Sequence, residues 1–444
     1  MKLLIGTLCL VLLVKNGESD LVNSLPGAPS LPFKQYSGYY AVGDTKNHML
    51  HYWFIESANN PATDPVLLWL TGGPGCSGLI AAFGEWGPLN INDDGATLSI
   101  NPYSWNRNAS VLTLESPAGV GYSYVTSGTV LTGDNKTAVE NWEALVAFFN
   151  EFPQYKNNDF YVTGESYGGI YIPTLVQTIL DKHMAIGNGC VSVNLGQDTV
   201  ISFMYAHGMI DDTRWQKVKK ECCNDDIDDC DFHKYFEDSI SYCGEFVDLV
   251  TVQQWEGGVN PYNIYANCDG ILADSKRKNI KRRKDDKAPY PSVASLGLPC
   301  LDETAPTTYF NRPDVRKAMF IPASLGKWSS CSNEIGTFYQ QEYRDMSSRV
   351  KNAVNAGLKV MLYHGDIDTV CSTMLGEKFT RALGFPVTTS KKTYMVGNQV
   401  GGTYTQYGDK LFMVTVRGAG HMVPTDQPAT AFYILDHFLN NKPF

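Results

Sequence analysis

The 444-residue sequence carries little charge and little of one sign. Only 18% of its residues are Asp, Glu, Lys or Arg, and the 36 basic residues fall short of the 46 acidic ones, for a net charge of −10. That balance excludes a general nucleic-acid binder, which needs clustered Lys and Arg to neutralise phosphates. The sequence has no C-x-x-C pair, and the adjacent Cys222-Cys223 have no His pair at ligand spacing, so the cysteines do not read as a zinc site. It has no internal repeat and no extended low-complexity segment. Beyond residue 14 no apolar run approaches the roughly 20 residues that a membrane span needs. What is present in quantity is apolar side chain: 43% hydrophobic residues exclude wholesale disorder. The length fits two or three domains, or one large α/β domain with an insertion.

The N-terminus reads as a secretory signal peptide. Met1-Lys2 precedes the apolar run Leu3–Val14 and the small polar segment Asn16-Gly17-Glu18-Ser19, which places a cut before Asp20. The expected mature chain is therefore 20–444, soluble and exported to the lysosome or the extracellular space. Of eleven cysteines, ten remain after Cys9 leaves, and in an oxidising compartment most should pair. Two tripeptides, at Asn108 and Asn135, match the N-glycosylation pattern.

Short apolar runs at Val66–Leu70, Val111–Leu114, Phe160–Thr163, Val360–Tyr363 and Leu411–Val416 predict buried strands of a mostly parallel sheet. Between them lie helical patterns. Thr137–Phe149 places Val139, Trp142, Leu145, Val146 and Phe149 on one face, and Tyr167–Leu180 does the same with Ile170, Tyr171, Leu175 and Ile179. Strand and helix in alternation predict an α/β fold with right-handed crossovers. From about 190 to 320 this rhythm stops. The stretch holds seven cysteines, an acidic run at Glu221–Asp231 and a basic run at Lys276–Lys287. It reads as a disulfide-stapled insertion covering one end of the sheet, with the basic run a solvated loop or a proteolytic maturation site.

The sharpest chemical signal is Gly164-Glu165-Ser166-Tyr167-Gly168, between a predicted strand and a predicted helix. This is G-x-S-x-G in a strand–turn–helix setting, where small residues on either side let the turn close and lift the serine hydroxyl above the strand ends. A serine hydroxyl needs a base. After the strand at Val360–Tyr363 come His364-Gly365-Asp366-Ile367-Asp368, and after Leu411–Val416 comes the Gly-rich loop bearing His421. Ser166, an aspartate and His421 thus follow three sheet strands in the order acid-after-serine, His-last; spacing alone does not choose between Asp366 and Asp368. An oxyanion hole needs two backbone N–H donors. One falls to Tyr167, the residue after the nucleophile, and the other to the loop Thr71-Gly72-Gly73-Pro74-Gly75 after an early strand.

Five segments in one order resemble the serine carboxypeptidase family: Gly72-Gly73-Pro74-Gly75-Cys76-Ser77, Glu115–Tyr124, Gly164–Gly169, Ile186-Gly187-Asn188-Gly189 and Gly418–Pro424. The resemblance runs from about Gln35 to the C-terminus. It implies an α/β-hydrolase fold with a disulfide-rich cap, and a carboxypeptidase that releases C-terminal amino acids through a Ser166–Asp368–His421 triad and an acyl-enzyme, with no metal or organic cofactor. It selects Asp368 over Asp366 and Gly73 with Tyr167 as the oxyanion donors. Thr71, Gly72, Glu85 and Glu165 are then expected around the substrate's terminal carboxylate. It also implies disulfides Cys76–Cys331, Cys222–Cys243, Cys223–Cys230 and Cys268–Cys300, a free thiol at Cys371, and no partner for Cys190. Expected partners are peptides or proteins with a free C-terminus, and a second copy of the chain as a homodimer. Two alternatives share the resemblance: an acyltransferase using the same triad, and a protective partner of other lysosomal enzymes.

Two departures from the family pattern stand out. Thr71 occupies a position where many members have Asn, so carboxylate recognition should be altered. The stretch Leu180–Ile186 is short, which predicts a clipped strand. The two glutamates have a physical logic of their own. Carboxyls facing a substrate carboxylate cannot all ionise, so at least one must keep its proton, and peptide binding should favour acid.

Overall fold

The computed structural model describes residues 20–179, 182–238, 240–268 and 300–444. The expected signal peptide and the basic run Lys276–Lys287 lie outside the described residues.

The strands in chain order are β1 (Asp20–Leu21), β2 (Gln35–Val42), β3 (His48–Ile55), β4 (Val66–Leu70), β5 (Leu89–Ile91), β6 (Leu98–Ile100), β7 (Ser110–Leu114), β8 (Tyr124–Val125), β9 (Phe160–Ser166), β10 (His183–Gly189), β11 (Val360–Gly365), β12 (Val387–Val396), β13 (Gln399–Tyr407) and β14 (Leu411–Val416). Apart from the small β5–β6 pair, they form one sheet in the order β1-β2-β3-β7-β4-β9-β10-β11-β14-β13-β12, with β8 added beside β3. The six central strands from β7 to β14 run parallel, and the flanks are antiparallel. All five predicted strands are present; β4 and β14 keep their predicted bounds, and β7, β9 and β11 run one to three residues longer.

Alternation along the central strands sorts side chains into two cores. Leu68, Leu70, Val162, Ile186 and Leu362 point to one, and Leu67, Trp69, Tyr161, Ala185 and Met361 to the other. A strand buried on both faces reads as a continuous apolar run, which is why these elements are legible locally. Helices cover both faces. The first core packs against α2 (Asp134–Glu151) and α3 (Gly168–Ile179); the second packs against α1 (Gly78–Gly84) and the C-terminal helix Pro428–Leu439. Each fully buried Leu or Phe contributes about 2–3 kcal/mol.

Two expectations are corrected. The helix predicted over Thr137–Phe149 exists as α2, but Val139, Trp142 and Val146 are exposed at 46%, 42% and 45%. Its buried side is Ala138, Asn141, Ala144, Leu145 and Phe148, together with Glu140, which pairs with buried His48 at 2.9 Å. Small residues let the helix sit close to the sheet, and an ion-paired carboxylate can face inward. Nor is β10 clipped: of its seven residues, six pair with β9 and four with β11. Met184, Ala185 and Ile186 are enough to fill both cores at this point.

Between β10 and β11 the chain leaves the sheet. Helices α4 (Val193–Ala206), α5 (Asp212–Cys222) and α6 (Tyr242–Glu256) gather a third core around Ile201, Trp215, Val218, Phe246 and Val247. Disulfides Cys222–Cys243 and Cys223–Cys230 staple it, and Cys268–Cys300 closes a loop further on. Cys76–Cys331 completes the four expected pairs. A fifth bond corrects the cysteine assignment: Cys371, expected free, is joined to Cys190, expected unpartnered. The neighbouring strands β10 and β11 end side by side, and the loops leaving them bring the two Cα atoms to 5.2 Å.

Candidate active site

The carboxyl ends of the parallel strands open on one edge of the sheet, where α/β folds build their sites. β4 delivers Thr71-Gly72-Gly73, β9 ends on Ser166, β11 leads to Asp368 and β14 to His421. Ser166 sits at φ +59°, a left-handed conformation that a non-glycine residue adopts at an energetic cost, and this conformation forms the sharp turn into α3. The turn depends on close backbone approach. A Cβ on Gly72 would lie 2.5 Å from the Tyr167 nitrogen and 2.6 Å from the Ser166 Cβ, and one on Gly164 would collide with the Leu70 carbonyl oxygen. Gly72 thus runs directly alongside the Ser166–Tyr167 backbone, and Gly73 next to it lines the same cavity as Ser166.

His421 is 4% exposed. Its Nδ1 lies 2.8 Å from Asp368 Oδ2, and its backbone N–H donates to the Tyr262 carbonyl at 2.7 Å. The other ring nitrogen, Nε2, is buried and has no partner in the structure. Ser166 lines the same cavity as this imidazole. Asp368 is fully buried and its carboxylate is well supplied with donors. Oδ2 accepts from His421, from the Asn188 side-chain amide at 2.8 Å and from the Cys371 N–H at 3.1 Å; Oδ1 accepts from the Val370 N–H at 2.8 Å. Asp366 lies elsewhere, accepting from the Gly418 N–H at 2.7 Å. The tertiary structure thus brings Asp368, not Asp366, to the imidazole.

Thr71, Gly72, Gly73, Cys76, Ile80, Glu85, Glu165, Ser166, Tyr262, Leu301, His421 and Met422 line one cavity. Every residue expected to act on the substrate is therefore in or beside it: Tyr167 follows Ser166, and Asp368 stands behind His421. Glu85, 4% exposed, and Glu165, 5% exposed, face each other. Burial is the main cause that raises both carboxyls. Glu85 is pushed up to about 7, and Glu165 well above the usual range, with the neighbouring Glu85 adding to the rise. Glu85 Oε2 is buried without a partner. The Thr71 hydroxyl accepts from the Trp69 indole at 2.8 Å, which leaves its own O–H free to donate into the cavity.

Sequence reasoning missed several residues here. Asn188 stands at φ +36° between two glycines, and its amide bridges Asp368 and the Gly365 N–H. A short polar residue between glycines at the end of a buried strand was the available signal. Tyr262 and Leu301 come from the insertion, and nothing local marks them. The Tyr262 ring centroid is 5.3 Å from that of His421, and its hydroxyl is buried and unpartnered. The two sequons differ: Asn135 is exposed, whereas Asn108 is half-buried and donates to Asp436 at 2.8 Å.

A parallel sheet with helices on both faces, and a serine on a left-handed turn at its carboxyl edge, defines an α/β hydrolase. A sequence model of the serine carboxypeptidase family matches residues 26–441, and the chain belongs to that family. It is 37% identical to the mouse (Mus musculus) lysosomal protective protein, over 96% of this chain and 95% of the relative. It is 35% identical to serine carboxypeptidase ctsa-4.1 of Caenorhabditis elegans, over 96% and 94%. Among solved structures it superposes on KEX1(delta)p, a prohormone-processing carboxypeptidase from Saccharomyces cerevisiae, with a TM-score of 0.74 at 20% identity, covering 94% of each chain. The protein is thus a serine-type carboxypeptidase. Among the described residues no helix is long and apolar enough to cross a membrane.

Proposed function

We propose that this carboxypeptidase releases C-terminal amino acids from peptides in an acidic compartment of the secretory pathway, through Ser166, His421 and Asp368 and a covalent acyl-enzyme. The observation that carries the reading is the pairing, in one cavity, of Ser166 and a buried His421 with two carboxyls that burial keeps protonated.

Substrate enters with its terminal carboxylate towards Glu85, Glu165 and the Thr71 hydroxyl. Protonated carboxyls donate to that carboxylate, whereas ionised ones would repel it. This places the last peptide carbonyl over Ser166. His421 Nε2 takes the Ser166 proton as Oγ attacks the carbonyl carbon, and Asp368 holds the imidazole in orientation and balances its charge. The Gly73 and Tyr167 amides receive the oxyanion, each worth about 3 kcal/mol in comparable sites. The C–N bond breaks as the imidazolium gives its proton to the leaving amine. Water then repeats the sequence on the acyl-enzyme and frees the shortened peptide. The mouse relative's name places that protein in the lysosome, and acid-tuned carboxyls suit the same compartment here.

The test is a library of peptides with free or amidated ends, incubated at acid pH and read by mass spectrometry. Stepwise loss of single residues from free C-termini is expected, abolished by Ser166→Ala. Transfer of an acyl group from a glucose ester to an alcohol with no residue lost from any peptide, or persistence of cleavage in the variant, overturns the reading.

A further inference from the structure

The five disulfides do not stand in the same relation to the site. Cys190–Cys371 joins two residues that are each hydrogen-bonded to a triad member. The Cys190 N–H donates to the Ser166 carbonyl at 2.9 Å, and the Cys371 N–H donates to Asp368 Oδ2 at 3.1 Å. Both cysteines are buried, at 5% and 0% exposure. We propose that the Cys190–Cys371 bond is a positioning element of the triad, holding the loop that carries Asp368 in register with the strand ends beside Ser166. The proposal rests on the triad reading above.

The argument is geometric. Asp368 follows β11 by three residues, on a loop that hydrogen-bonds through Thr369 to Pro261 and through Ile367 to Ala419, and that is tied to β10, among the described residues, by the Asn188 amide and this bond. Asn188 links Gly365 and Asp368 to the end of β10, and the disulfide adds a second link through Cys371, whose N–H shares Oδ2 with the Asn188 amide. Two donors on Oδ2 keep that oxygen aligned with His421 Nδ1. Without the covalent link, the Cys371 N–H can withdraw and the carboxylate can turn. Catalysis is steep in such displacements: a shift of about 1 Å can cost about 100-fold in rate. The groups expected to bind the substrate carboxylate sit on other elements. Thr71 follows β4, Glu85 follows α1 and Glu165 lies within β9. Substrate binding should therefore be insensitive to the bond.

The experiment uses the full-length secreted protein with Cys190→Ala, Cys371→Ala and the double substitution. Peptide mapping without reduction should recover the Cys190–Cys371 linked pair from the wild type. Each single variant is expected to lose about 10- to 100-fold in kcat with KM unchanged for a peptide with a free C-terminus, and the rate of Ser166 labelling by a fluorophosphonate should fall in parallel. The double variant should match the singles, because all three break the same bond. A lower Tm is expected from any lost cross-link, so kinetics at 25 °C, not stability, decides. Recovery of two free thiols from active wild type, single variants with wild-type kcat, or variants that fail to fold would each overturn the proposal, the last by making the bond a staple of the fold. If the wild type labels with fluorophosphonate but cleaves no peptide, the peptidase reading fails while the labelling rates still judge this one.

Discussion

Substituting Glu85 by Gln tests the acid-tuned carboxylate site through stability and catalysis at once. Glu85 is nearly fully buried, and its carboxyl is raised from 4.5 to about 7, chiefly by burial. A raised acid binds its proton more tightly in the folded state than in the unfolded one. Its protonated form therefore adds no penalty below pH 4.5, and folding loses free energy as pH climbs from 4.5 through 7. The difference of 2.5 in pKa, at about 1.4 kcal/mol per unit, sets the loss on the order of 3 kcal/mol. Gln has nearly the same shape and no proton to lose. Glu85→Gln should match the wild type in thermal unfolding at pH 4.5 and unfold at a temperature higher by a few degrees at pH 7.5. Kinetics should move with it. In the wild type, kcat/KM for a free C-terminus should fall above pH 7, by up to tenfold per unit, because an ionised Glu85 repels the substrate carboxylate. For an amidated or ester analogue the fall should be smaller, and in the variant the fall should begin at higher pH. Parallel pH curves for the two substrates in the wild type, or a variant no more stable at pH 7.5, would refute the assignment.

Three further outcomes follow from the same geometry. Thr71→Ala should raise KM for free C-termini several-fold with kcat nearly unchanged, since one neutral hydrogen bond is worth about 1 kcal/mol; equal KM values would remove Thr71 from carboxylate recognition. Gly72→Ala places a methyl 2.5 Å from the Tyr167 nitrogen and should cut kcat at least 100-fold by forcing the oxyanion loop away from the nucleophile; steady-state kinetics on the folded variant decides. Asn188→Gly keeps the φ of +36° accessible but removes the amide that holds Asp368, and should lower kcat about 10-fold or more with KM unchanged. A rise in KM instead would assign Asn188 to substrate binding.

Much of this was legible in one dimension because the relevant forces are local. A strand buried on both faces must be apolar throughout, so Val66–Leu70 and Val360–Tyr363 announce themselves. A serine on a strained turn needs glycines two residues to either side, so Gly164 and Gly168 mark Ser166 as soon as they are read. The edge strand β12, mostly exposed and carrying Lys391 and Lys392, and its partner β13 show no such run and went unread.

Other features became visible only once distant segments met. Asp366 and Asp368 are equivalent in spacing; burial and the donors Asn188, Val370 and Cys371 make the second one the partner of His421. The outward face of α2 cannot be chosen from periodicity when small residues and an ion-paired Glu140 compete for the inside. Cys190 and Cys371 lie 181 residues apart, and only the adjacency of β10 and β11 makes them neighbours. The wall of the cavity formed by Tyr262 and Leu301 belongs to the same class. The sequence by itself settled the apolar rhythm and the glycine-flanked turn at Ser166, because those depend on residues a few positions apart. The tertiary structure decided which acid, which cysteine pair and which pocket wall, because each depends on contacts between segments that the chain separates and the sheet brings together.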